Sequence, residues 1–220
     1  MPTIDNAATQ TFADGLIRTL PSFVVGNHDD RVLYVGVACF IASPPQTVDS
    51  VTFDGVAMDH LVDEVTAGHR VSIWYKIAPT VTTGDIVATA SGSIRMKIGA
   101  VSVYDTHQTT PHGTPGQASN DASEPATVDV ASAIGELVID FMQAEYGLDS
   151  HGAGQTELFL NGDDFSWTSS YEDGATSVTM SEELTGALAS WRIVAVPLKP
   201  AGPPEPVPML YVIQPAQRWI

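Results

Sequence analysis

Serine, histidine and aspartate are the parts of a nucleophilic hydrolase, and this chain contains all three. None of its serines sits in the G-x-S-x-G elbow that lifts a nucleophile onto a strand-to-helix turn, and they fall instead in threonine-rich β sequence that needs no catalytic role. The six histidines, His28, His60, His69, His107, His112 and His151, form no H-x-H or H-E-x-x-H pair. A transition-metal site needs imidazoles or thiolates brought together in such spacings. Cys39 is the only cysteine and lies in the apolar run Val35 to Ile41. An intrachain disulfide is therefore impossible, and a buried core thiol is favoured over a reactive one. No catalytic, cofactor-binding or metal-ligating residue is assigned, and the chain reads as non-enzymatic.

Carboxylates offer two further kinds of chemistry. Asp29-Asp30 and Asp163-Asp164 pair acids in turn-like sequence, which suits a hard cation such as calcium, but neither matches the EF-hand pattern and both read better as solvated turns. Asp140 stands inside the apolar stretch Leu137 to Met142 and is expected to point outward by alternation. An acid pair of the glycosidase kind is defined by its separation in space, so with 26 acidic residues the sequence singles out none. Gly84, Gly92 and Gly99 are too dispersed for a phosphate-binding loop. Trp74, Trp167, Trp191 and Tyr171 are candidates for a sugar-stacking platform, although Trp74 and Trp191 fit core or edge packing better.

The elements that must position these residues are short β runs punctuated by turn residues, with almost no helical periodicity. Arg31 to Ala42 is apolar on both faces at its centre. Val48 to Phe53 and Val56 to Met58 flank Asp54-Gly55, a pair that tolerates the positive φ angles of a type I′ hairpin. Val71, Ile73, Tyr75 and Ile77 alternate with Ser72, Trp74 and Lys76, so one face is expected to turn inward. Further strands are read at Asp85 to Ala90, Ile94 to Tyr104, Thr127 to Val130, Glu136 to Gln143, Glu157 to Leu160, Phe165 to Tyr171, Ser177 to Ser181 and Trp191 to Leu198. Asn161-Gly162 marks another tight turn, and a short helical turn is read near Ser181 to Leu188. The long polar interval Asp105 to Ala126 is expected to run partly extended at a sheet edge, and Thr3 to Thr11 as an extended arm. The sum is an all-β fold, an antiparallel two-sheet β-sandwich of jelly-roll or immunoglobulin-like type.

Charge narrows the partners. A net charge of −17, from 26 acidic against 9 basic residues spread along the chain, repels phosphate backbones and anionic lipid. Direct nucleic-acid binding is not expected, and neither is membrane insertion, because no apolar stretch approaches membrane-spanning length. The N-terminal residues lack a basic region followed by an apolar one, so the expectation is synthesis in a host cytoplasm.

The end of the sequence is its oddest part. A body over 1–199 is followed by a proline-rich linker, 200–208, with Pro200, Pro203, Pro204, Pro206 and Pro208. After it comes an apolar, strand-like arm over 209–220. Its partner-binding residues are read as Met209, Leu210, Tyr211, Val212, Ile213, Arg218, Trp219 and Ile220. Burying its large apolar side chains would yield on the order of 10 to 20 kcal/mol. Ordering a dozen backbone residues costs about 1 to 2 kcal/mol each, so docking is favourable when a preformed sheet edge adds main-chain hydrogen bonds. The receiving surface is either the chain's own body or a neighbour.

Ser50 to Met58, Val71 to Pro79, Gly99 to Tyr104, Gln108-Thr109-Thr110-Pro111 and Gly135 to Asp140 together resemble a β-sandwich domain of phage virion structural proteins, also met in bacterial surface and secreted proteins. The resemblance covers about Leu33 to Leu198 and implies a module without catalytic residues that decorates a particle. The expected role is an accessory capsid or decoration subunit of a tailed phage, located in the virion. Its expected partners are the major capsid protein, other virion subunits or further copies of itself, and no cofactor is implied. The alternative is a carbohydrate-binding or adhesion module on a virion tail or fibre or on a cell surface, with a glycan as ligand.

Overall fold

The computed structural model describes residues 1–40, 46–66, 68–121, 125–145, 147–162, 165–185 and 190–202. The described chain is all antiparallel β, and its fifteen strands form three sheets rather than the two of a sandwich. β1 (Thr3–Val25), β2 (Val32–Phe40), β3 (Val48–Phe53), β4 (Val56–Ala57), β5 (Asp59–Thr66), β6 (His69–Ile77) and β7 (Thr82–Tyr104) make a seven-stranded sheet curled into a nearly closed barrel. β12 (Thr156–Asn161), β13 (Ser166–Asp173), β10 (Leu137–Ala144), β15 (Trp191–Leu198) and β8 (Gly116–Asn120) follow in that spatial order as a five-stranded sheet. β11 (Leu148–His151), β14 (Ser177–Leu184) and β9 (Ala126–Ala131) form the third.

β7 is the trunk of the barrel. One of its edges pairs with β1 from Thr3↔Tyr104 to Val25↔Thr82, with four register irregularities on the way. Its other edge is shared, β3 pairing with Ile86 to Ala90 and β2 with Arg95 to Val103. The sequence suggests two strands here, split at Ser91-Gly92-Ser93. Those residues form an irregularity inside one strand, held where Ser91 N–H donates to Thr47 O at 2.9 Å and Thr47 N–H to Ser91 Oγ at 3.0 Å. The N-terminal segment read as an arm, Thr3 to Thr11, is likewise the first half of β1 and part of the body.

Three apolar layers result. Inside the barrel lie Leu33, Val35, Val37, Phe53, Trp74, Ile86 and Ile98. Between barrel and five-stranded sheet lie Tyr34, Ile73, Val101, Ile139, Phe141, Trp167 and Val194. Between that sheet and the third lie Val128, Val138, Met142, Met180 and Ile193. The five-stranded sheet is therefore a middle layer, and β10 and β15 are buried at all eight positions. Covering on both faces explains why their sequences do not alternate. β6 departs from the expected single inward face for the same reason, with Trp74 in the barrel and Val71 and Ile73 on its outside.

Two glycines set the spacing of barrel and middle sheet. Gly36 on β2 and Gly99 on β7 are direct cross-strand partners. A Cβ on Gly36 would lie 2.4 Å from the Phe141 ring, and one on Gly99 would lie 2.1 Å from that of Phe159. Two phenyl rings thus rest on bare backbone, 6.2 Å apart at their centroids and both against Trp167.

Some other local readings hold and some do not. Asp54 (φ 48°) and Gly55 (φ 75°) make the turn joining β3 to β4, and β8 is an edge strand within the polar interval 105–126. Of the helical turn read at Ser181 to Leu188, the first residues are strand to Leu184 and residues 186–188 lie outside the described residues. After Asn161 the connection to β13 is longer than a two-residue turn. Cys39 is buried in the barrel, and desolvation pushes its thiol up to about 12. A native-state thiol titration with a disulfide reagent is expected to read essentially no reaction, and one equivalent after denaturation. Rapid native labelling would place Cys39 at the surface.

Candidate functional site

The partner-binding residues named from sequence, Met209 to Ile220, lie outside the described residues, as do the linker beyond Gly202 and Asp163-Asp164. Asp29 and Asp30 are exposed in the turn between β1 and β2. Their carbonyls accept from Asp105 N–H at 3.5 Å and Thr106 N–H at 3.0 Å. Among the described residues no group of three or more His, Cys, Asp or Glu side chains could hold a metal ion.

The sugar platform is not assembled as proposed. Trp167 is fully buried in the layer between barrel and middle sheet, Trp74 packs inside the barrel and Trp191 against the third sheet. Only Tyr171 keeps access to solvent, beside a surface pocket shared with Met1 to Ile4, Leu137 and Asp173. Burial wins because each indole sits on a strand covered on both sides, where its large apolar area contributes most.

Asp140 corrects the reading of the sequence most clearly. It points into the layer between the middle and third sheets and is 0% exposed. Facing it is Glu182 of β14, also 0% exposed. Ser170 of β13 donates to Asp140 Oδ1 through its backbone N–H (2.6 Å) and lies within reach through its hydroxyl (3.2 Å). Gln155 donates from Nε2 to Ser170 Oγ at 2.7 Å, and its Oε1 accepts the Ser181 N–H at 2.8 Å. His151 of β11 connects the pair to the surface. Its Nδ1 is 2.6 Å from Glu182 Oε2, and its Nε2 is 3.3 Å from Glu157 Oε2 on the exposed side of β12.

Two enclosed carboxyl groups cannot both ionise cheaply. Burial first, then the proximity of Glu182, holds the Asp140 carboxyl well above its ordinary value. Burial likewise lifts Glu182 to about 8, although hydrogen bonds with Asp140, Ser170 and Gln155 pull the other way. The pair therefore stores a proton at neutral pH. Complete enclosure keeps any dissolved substrate away from both groups, so the arrangement can respond to pH and lock two layers together but cannot act as a hydrolytic dyad. A signal for it exists in the sequence. Apolar residues flank Asp140 on both alternating faces, and Glu182 shares the period of Val178, Met180 and Leu184.

A second polar cluster ties the sheets at one end. Arg192 of β15, fully buried, donates from Nη2 to Asp121 Oδ1 (2.8 Å) and Thr66 O (3.2 Å), and from Nη1 to Ser190 Oγ. These bonds hold the Asp121 carboxyl below its usual range. Beside it Gln143 donates to His69 Nδ1 at 2.8 Å, which leaves the ring proton on Nε2 facing Glu145 Oε1 at 3.2 Å. Burial and then Arg192 lower the His69 value, so the ring is neutral at neutral pH. Ser190, His69 and Asp121 lie in one region, yet the serine hydroxyl is bound to Arg192 and Asp121 and does not face an imidazole base. Lys97 is similarly buried and donates to Asn161 Oδ1 at 2.9 Å and to the carbonyls of Asn161 and Phe165.

What β1 offers a partner is a row of exposed apolar side chains. Among the described residues only β7 pairs with β1 as a strand, and the two ends of β1 meet, Asn6 Nδ2 donating to Val24 O at 3.0 Å and Gly26 N–H to Asp5 Oδ2 at 2.9 Å. Leu16, Ile17 and Val24 on it are 49%, 57% and 47% exposed. No family model, curated protein or solved structure matches this chain.

Proposed function

We propose that the protein is a non-enzymatic structural subunit of a virus particle, an accessory capsid or decoration protein of a tailed phage that assembles through its arm at Met209–Ile220. The observation that carries this reading is the apolar surface of β1, where Leu16, Ile17 and Val24 are exposed on a strand whose only strand partner among the described residues is β7. Proteins that must stay single usually blunt such strands with charge. The polar clusters support the same reading, because their donors and carboxylates are turned inward to join sheets. The charge of −17 keeps copies soluble before assembly and away from packaged DNA.

The test is incorporation. Particles purified on a density gradient from cultures expressing the full chain are expected to carry it in many copies. Deletion of Met209–Ile220 is expected to abolish this while leaving a soluble body with an unchanged circular dichroism spectrum. Normal incorporation of the shortened chain would remove the anchor role.

A further inference from the structure

We propose that the third sheet, β9, β11 and β14, is a cover that opens by local unfolding as the solution turns alkaline, baring the outer face of the middle sheet while that sheet and the barrel stay folded.

Among the described residues the strands of the third sheet pair only with each other, so no ladder of backbone bonds ties them to β10 or β15. They are short, at six, four and eight residues. A sheet this small holds together only while its apolar face is covered. The covering is one layer, in which Val128, Val130 and Met180 lie with Val138, Met142 and Ile193. Asp140 of β10 and Glu182 of β14 sit within it, fully buried, and meet across Ser170 of β13, whose Oγ is 3.2 Å from Asp140 Oδ1 and 3.4 Å from Glu182 Oε1. Gln155 clasps the same boundary, bonded to Ser170 Oγ at 2.7 Å and to Ser181 N–H of β14 at 2.8 Å.

Two carboxyl groups enclosed together resist ionising until water reaches them. Opening the layer supplies that water to both, so every proton the closed pair retains against the pH makes opening easier. The other groups facing the pair do not replace the proton. His151 of β11 places Nδ1 2.6 Å from Glu182 Oε2, and Glu157 of β12 lies 3.3 Å from the same ring's Nε2. β13 adds Glu172 beside Gly154. β9 and β15 present Val128, Val130, Ile193 and Ala195. A charged imidazole favours ionised Asp140 whereas Glu157 opposes ionised Glu182, and in alkaline solution an imidazole is uncharged. The boundary between barrel and middle sheet is built differently. Arg192 of β15 donates across it to Thr66 O of β5 at 3.2 Å, and a guanidinium keeps its charge throughout this range. Phe141 and Phe159 rest there on Gly36 and Gly99. One boundary loosens with alkali and the other does not.

Hydrogen exchange of the full chain tests this, read peptide by peptide in a mass spectrometer and divided by the intrinsic chemical rate at each pH. Peptides from β9, β11 and β14 are expected to lose protection by on the order of a hundredfold from about pH 5.5 to about pH 8, the factor that follows when Glu182 keeps its proton to about 8 in the closed layer and to its ordinary value in the open one. Peptides from β2, β7, β10 and β15 are expected to keep theirs. In Glu182→Gln the third sheet should lose protection far less steeply. Loss that spreads evenly to barrel and middle sheet would make the event global unfolding and overturn the proposal. A third sheet whose protection ignores pH overturns it too, and both of these results are read on the parent chain, whether or not the variant folds. A folded Glu182→Gln with the parent's steep profile would take the switch away from the carboxyl pair and overturn it as well.

Discussion

Gly99→Val is expected to destabilise the protein by about 3 kcal/mol or more, at the upper end of what overpacking a core does, with Gly36→Val close behind. The Cβ added at Gly99 would meet the Phe159 ring at 2.1 Å. That ring has no room to withdraw, since Phe141 stands 6.2 Å and Trp167 6.0 Å from its centroid and both are fully buried. Relief has to come from separating barrel and middle sheet, which loosens the whole layer. A double-mutant cycle makes the cause visible. Phe159→Ala by itself leaves a cavity costing about 3 to 5 kcal/mol, but combined with Gly99→Val it should cost clearly less than the sum of the two. Urea denaturation measures all three variants. Additive losses would mean that the glycine matters for its backbone and not for the ring above it.

Stability is also expected to fall by several kcal/mol as pH rises from about 4.5 to about 8, through the pair Asp140 and Glu182. The sign follows from proton binding. In the unfolded chain Glu182 loses its proton near the ordinary value of 4.5, whereas in the folded protein it keeps it to about 8. Between those values the folded state holds more protons, so the stabilisation is complete below the lower value and gone above the upper. Asp140 is shifted in the same direction. Among groups facing the pair, His151 favours ionised Asp140 while Glu157 opposes ionised Glu182. Glu182→Gln keeps a hydrogen-bonding amide in place and removes the titration. Its melting temperature is expected to fall less steeply than the parent's over this range, since Asp140 still titrates, and to exceed that of the parent by roughly 5 °C or more above about pH 8. Parallel pH profiles for parent and variant would assign the loss to net charge.

Much of the fold was legible in the sequence because alternation and turn residues are local. Asp54-Gly55, the apolar run of β2 and the edge strand within the polar interval depend on neighbours a few residues away. The number of layers is not local. Leu137 to Met142 is apolar on both alternating faces, which states that β10 is covered twice, and a two-sheet sandwich has no such position. Reading that run as a middle strand would have predicted three layers and a buried Asp140 together. The joining of Asp85 to Ala90 with Ile94 to Tyr104 failed for the opposite reason. Ser91-Gly92-Ser93 looks like a turn, and the strand continues past it because β1, far away in sequence, pairs on either side of it and Thr47 bonds to Ser91. Of the candidate site, the meeting of the two ends of β1, Asp5 with Gly26 and Asn6 with Val24, could not be read at all, since it depends on how the strand bends with β7 and leaves no mark in its own residues.

The middle sheet has a consequence for how the molecule comes into being. β15, the last strand of the described chain, lies between β10 and β8 and bonds to both. Until residue 198 has left the ribosome, neither neighbour has its inner partner, and two sheets wait with their greasy surfaces uncovered. Folding of this layer is therefore a late event of synthesis, dominated by contacts between distant parts of the chain and slow for that reason. A nascent chain paused before Trp191 is the species most exposed to chaperones and to aggregation.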